Sequence, residues 1–133
     1  MKTIETQTAE TFLTATMKRA LDAQTTVRAR LAEEIAEQVK TGAPGDLVST
    51  MRTVIHKDAE ADPWHHVASY QNDGQTLIEA VRRTHDMITQ ALLRFGISVT
   101  SQHIANEAAI AKHDGMRRFV SDVAPLLRAL DAE

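Results

Sequence analysis

Thr8 to Lys40, TAETFLTATMKRALDAQTTVRARLAEEIAEQVK, decides the fold. Its apolar residues Leu13, Met17, Ala20, Leu21, Val27, Leu31, Ile35 and Val39 recur at steps of three and four. That is the period of an amphipathic helix. Alanine, the strongest helix former, fills many of the intervening positions. Gln24 is a polar interruption on the stripe. The steps begin near a heptad and settle to four by Leu31, Ile35 and Val39, which suits a bundle helix better than a sustained two-stranded coiled coil. Gly42, just beyond the last periodic residue, is placed to stop the helix in the left-handed conformation.

A helix over residues 8–40 would be about 50 Å long. A compact chain of 133 residues has a radius of gyration near ~14 Å, hence a diameter of roughly 36 Å. Three outcomes follow. The helix breaks near Gln24-Thr25-Thr26, the bundle is elongated, or the helix projects and buries its stripe on a second subunit. A homodimer is therefore expected. Leu13, Met17, Leu21, Val27, Leu31 and Trp64 are its predicted interface residues.

Punctuation divides the remainder into three more helical segments. Gly42, Pro44 and Gly45 form the first break, Pro63 and Gly74 flank the second, and Gly96 closes a third segment. Leu47, Val48, Met51, Val54 and Ile55 give a helix over about 46–60, ended by Pro63. Residues 61–73 read as a loop, or a short turn of helix around Trp64 to Tyr70, which Trp64 anchors onto the core, with Asn72-Asp73-Gly74 as a turn. Leu77, Ile78, Val81, Ile88 and Leu92 give a helix over about 75–95. Ile104, Ala108, Ala111, Gly115, Phe119, Val123, Leu127 and Leu130 give the last, over about 101–131, with a kink near Pro125. The small residues in the middle of that stripe invite another backbone to approach closely. No segment alternates with period two between turns, so no sheet is expected. The predicted architecture is all-α, an elongated bundle of four main helices. Residues 1–7 are read as a frayed N-terminus and 8–133 as a single helical domain.

Composition narrows the functional classes. A hydrophobic fraction of 43% with 25% charged residues belongs to a folding chain rather than a disordered one. Fifteen Lys and Arg against 18 Asp and Glu leave a net charge of -3, which does not favour dominant binding to a phosphate backbone. There is no Cys, so disulfides, thiolate metal sites and cysteine nucleophiles are excluded. No stretch approaches the ~20 apolar residues of a membrane span, and no apolar signal core begins the chain. A cytoplasmic location, with no membrane partner, is the expectation.

The histidines are the main candidates for chemistry. His56, Asp58, Glu60, Asp62, His65 and His66 crowd into one short stretch, and His56 and Glu60 share a helical face at i, i+4. His56, Glu60, His65 and His66 are thus candidate ligands for a divalent metal, since neutral imidazoles and carboxylates suit zinc, iron or manganese. The paired Glu-x-x-His motifs of di-iron carboxylate bundles are absent. Serine elbows, phosphate loops and dinucleotide fingerprints are absent too, so no cofactor and no catalytic role are expected. Gly96-Ile97-Ser98 before a helix from Ser101 has the outline of a helix-turn-helix. Gln102, His103 and Asn106 would then face a DNA groove. However, Arg82, Arg83, Arg117 and Arg118 all have acidic neighbours one turn away, which leaves no basic patch. The expected function is a non-catalytic protein-interaction module, an adaptor, assembly factor or accessory subunit acting through long amphipathic helices. A DNA-binding regulator using residues 97–107 is the alternative, and a helical binder of metal or a small ligand is the third reading.

Overall fold

The computed structural model describes residues 4–42, 47–98 and 107–132. Four helices follow one another: α1 (Ile4–Thr41), α2 (Leu47–Asn72), α3 (Leu77–Ser98) and α4 (Glu107–Asp131). No strand occurs among the described residues. Arg28 on α1 pairs with Asp58 on α2, and Arg82 at the start of α3 pairs with Asp131 at the end of α4. Neighbouring helices in sequence are therefore antiparallel, in an up-down-up-down bundle.

α1 is one uninterrupted helix of 38 residues, about 57 Å long at 1.5 Å per residue. Gln24-Thr25-Thr26 does not break it, and the bundle is elongated. It begins at Ile4, so residues 4–7, expected to fray, are helical. Gly42 ends it at φ +68°, its N–H donating to the Gln38 carbonyl at 2.8 Å.

α2 departs most from expectation. Its 26 residues pass through Pro63, the expected end of the second helix, and continue to Asn72 across the segment expected to be a loop or a short helical turn. A proline inside a helix removes its own N–H bond, here the one due to the Ala59 carbonyl, and its ring crowds that carbonyl. On either side of it Ala61, Trp64 and Val67 are buried, and their packing holds the helix together. Trp64 is thus a mid-helix core residue. Gly115 of α4 sits against this same carbonyl: a Cβ there would lie 2.5 Å from Ala59 O. Only a glycine lets α4 come so close, as its small stripe suggests.

The α2–α3 turn is Asp73-Gly74, with Gly74 at φ +100° and the Gln75 N–H donating to the Tyr70 carbonyl at 3.1 Å. Thr76 then caps α3. Its hydroxyl accepts from the Glu79 N–H at 3.2 Å, while the Glu79 carboxylate accepts from the Thr76 N–H at 3.3 Å. This reciprocal capping box starts the helix two residues later than predicted. α3 continues through Gly96 to Ser98 instead of ending there. Glycine lowers helix propensity but stops a helix only where the chain turns left-handed after it. α4 likewise continues through Pro125 to Asp131. Residues 101–106, expected to begin that helix, lie outside the described residues.

One core joins all four helices. Leu13 of α1, Trp64 and Val67 of α2, Val81 and Ile88 of α3, and Phe119, Val123 and Leu127 of α4 form it. Trp64 and Phe119 meet edge to face at 5.0 Å and 69°, an arrangement favoured by the ring quadrupoles.

Candidate functional site

The α1 stripe that enters the core at one end leaves it at the other. Leu13 is completely buried, Met17, Ala20 and Leu21 pack on the core, and Val27 and Leu31 are half-buried. On the same stripe, however, Ile35 is 46% and Val39 83% exposed. α2 runs antiparallel beside them and presents Val48, 65% exposed, and Met51, 48% exposed. The register set by Arg28 and Asp58 puts Ile35 level with Met51 and Val39 level with Leu47, one residue from Val48. α4 begins at Glu107, which pairs with Arg52 and stands 3.5 Å from His56. The outer end of the α1–α2 hairpin therefore lies beyond the first described turn of α4. It presents aliphatic side chains where the lower bundle presents a core.

A polar seam just below this end fixes how α1 sits on α2. Arg28 grips Asp58 with both arms of its guanidinium, at 2.9 and 2.8 Å. The Gln24 amide donates to Asp58 Oδ1 at 2.9 Å, and the Gln24 carbonyl oxygen lies 2.7 Å from His65 Nε2. An amide that gives its N–H to Asp58 can only accept from His65, so Nε2 carries the proton. The Arg28 guanidinium holds the Asp58 carboxyl below the usual range, against burial, which pushes it up; Gln24 adds to the lowering. Gln24, the break in the apolar stripe, is therefore a linker between helices.

The predicted metal ligands do not converge. His56 faces Glu107 on α4, and Glu60 is held by Lys57 and Arg118 at 3.1 Å each. His65 faces Gln24 on α1, and His66 lies 3.6 Å from Asp62 on its own helix. At 100° per residue, positions 56 and 65 point to opposite sides of a helix. Among the described residues, no three His, Asp or Glu side chains are grouped to hold a metal ion.

Of the predicted interface residues, Leu13 and Trp64 are already spent inside this chain's own core. Met17 and Leu21 are largely so, and Val27 and Leu31 keep part of their surface. Phe12, Met87, Leu93 and Ile110 are exposed elsewhere. At the outer end of the hairpin the exposed apolar residues are Ile35 and Val39, which belong to the predicted stripe, and Val48 and Met51, which belong to the predicted face of the second helix. Following the stripe to its end would have found them. Gln102, His103 and Asn106 lie outside the described residues. Among the described residues, no helix is long and apolar enough to cross a membrane. Comparison with protein-family models, with curated proteins and with solved structures finds no match.

Proposed function

We propose that the chain is a non-catalytic helical interaction module that self-associates through the outer end of its α1–α2 hairpin. The observation that carries this reading is the continuity of one helical stripe. It is sealed at Leu13 and open at Ile35 and Val39. An apolar stripe has its counterpart in an identical stripe, so a second copy is the natural occupant, in a two-fold arrangement where each surface serves both partners. Two hairpin ends brought together place four helices around a common apolar seam, the arrangement the lower bundle already uses. The large exposed apolar side chains here, Ile35, Val39, Val48 and Met51, are aliphatic or thioether groups, which a matching apolar surface covers. An adaptor, assembly or accessory role for such a dimer, in the cytoplasm, follows as the working proposal.

Light scattering on the purified chain tests it. Wild type at tens of micromolar is expected at twice the chain mass, and Val39→Glu combined with Val48→Glu at the chain mass, with unchanged helical content. These side chains are exposed, so the substitutions leave the core intact. A wild-type monomer, or a dimer indifferent to both glutamates, overturns the reading.

A further inference from the structure

Away from the hairpin end, a cleft of about 310 Å³ opens between α1, α2 and α4. That is within the lower range of small-molecule sites, which run from ~300 to ~1,000 Å³. Its origin is visible in the packing. Gly115 seats α4 hard against α2 at Ala59. On the facing stretch of α1 the chain offers Thr16, Ala20 and Ala23, side chains too short to fill the gap.

The lining is unusual for this chain. With three Phe, one Trp and one Tyr, the protein is poor in aromatic residues. Three of those five, Phe12, Trp64 and Phe119, line this one cleft. Trp64 and Phe119 form its floor, nearly fully buried, while Phe12 stands 44% exposed at the rim. Around them are three cations, Arg19, Lys57 and Arg118, and two carboxylates, Glu60 and Asp122. Lys57 and Arg118 both close on Glu60 at 3.1 Å. Arg19 stands outside this cluster, with no ion pair or hydrogen bond to the described residues.

We infer that this cleft binds a small monocarboxylate with an aromatic body. The ring of such a molecule lies against Phe12 and the edges of the Trp64–Phe119 floor, where offset and edge-to-face contacts are favourable. Its carboxylate meets the planar fork of Arg19, which matches two carboxylate oxygens at once. The lining sums to a single positive charge, three cations against two acids, so one negative charge is matched. A doubly charged phosphate would leave one negative charge unmatched. This inference is independent of self-association, because the cleft and the hairpin end share no residue.

Calorimetric titration with phenylacetate, read in parallel through the fluorescence of Trp64, the only tryptophan, tests it. Phenylacetate is expected to bind saturably in the millimolar range or tighter. Phenylacetamide keeps the ring without the charge, and acetate and inorganic phosphate keep charge without the ring; each is expected to bind at least tenfold more weakly. Arg19→Gln, an exposed substitution, is expected to weaken phenylacetate about tenfold and leave phenylacetamide unchanged. Phe12→Ala is expected to weaken both. No saturable heat or fluorescence change up to 20 mM phenylacetate overturns the inference. So does equal affinity for acid and amide, or equal affinity of wild type and Arg19→Gln for the acid.

Discussion

Gly115→Ala is the most direct probe of how this bundle is assembled. A methyl at position 115 would lie 2.5 Å from Ala59 O, 2.7 Å from Ala59 C and 3.1 Å from Glu60 N, where ordinary contact begins at 3.4 Å. All three are backbone atoms, so no side-chain rotation relieves the overlap. α4 must move away from α2 by about 0.9 Å, the difference between 3.4 and 2.5 Å. A radial gap of 0.5–1 Å forfeits roughly a quarter to a half of a van der Waals well, and here it opens along the seam that holds Trp64 against Phe119. Overpacking of this kind costs about 3 kcal/mol at the upper end of its usual range. Alanine returns about 1 kcal/mol through better helix propensity. The expected net loss is about 2 kcal/mol. With an unfolding entropy of about 2.1 cal/mol/K per residue, the 133-residue chain should melt about 7 °C lower. Far-ultraviolet circular dichroism melts measure this directly. Gly42→Ala is the control: its Cβ meets nothing within 4 Å, so it bears only the left-handed backbone cost of ~1 kcal/mol. A Gly115→Ala protein melting at or above wild type would refute the close-approach account of the α2–α4 contact.

Two further perturbations test the ends and the seam. Thr76→Ala removes the hydroxyl that accepts the Glu79 N–H; it should cost about 1 kcal/mol and speed amide exchange in the first turn of α3. Asp58→Asn tests the α1–α2 seam through pH. The native Asp58 carboxyl is held below its ordinary range by Arg28. Its contribution is therefore complete above the unfolded carboxylate pKa of about 3.9 and disappears as pH falls through the lower native value. The wild-type urea midpoint should drop more steeply than that of Asp58→Asn below pH 4, and the two curves should converge in acid. Glu34, lowered chiefly by the Thr50 hydroxyl and also by Arg30, leaves a residual slope in both. Parallel curves would show that the Arg28–Asp58 pair contributes nothing to stability.

What the sequence discloses depends on whether the cause is local. The stripe from Leu13 to Val39 and the stop at Gly42 are properties of neighbouring residues, and both are legible. The capping box is local as well: Thr76 and Glu79 stand three apart before an apolar run, the spacing that starts the helix after Thr76 instead of at Gln75. Pro63 is different. Locally it reads as a stop, because the residue before a proline is biased away from helix. What overrules it is Trp64 and Val67 packing on Phe119, Ile88 and Leu13, residues far away in the chain. The histidines mislead for a related reason. Closeness in sequence between His56 and His66 becomes separation on a helix, where His56 faces α4 and His65 faces α1. Had the segment been a loop, they could have gathered.

Pro63 and Gly115 are also linked to each other. Each alone weakens a helix interior, and a pattern read along the chain treats both as interruptions. In space they are complementary. Pro63 leaves the Ala59 carbonyl without its helical donor, and Gly115 is the residue whose missing side chain lets α4 seat against that carbonyl. The two interruptions thus set the depth at which α4 docks on α2. That depth in turn leaves α1 spanning a gap its alanines do not fill, and the gap is the aromatic-floored cleft. Further up, the Gln24–Arg28–Asp58–His65 seam fixes α1 on α2 by directional bonds instead of apolar packing. It therefore sets the register in which Ile35 and Val39 stand beside Met51 and Val48. The cleft is thus a consequence of residues that break the regular pattern, whereas the open hairpin end is the regular stripe carried past the first described turn of α4.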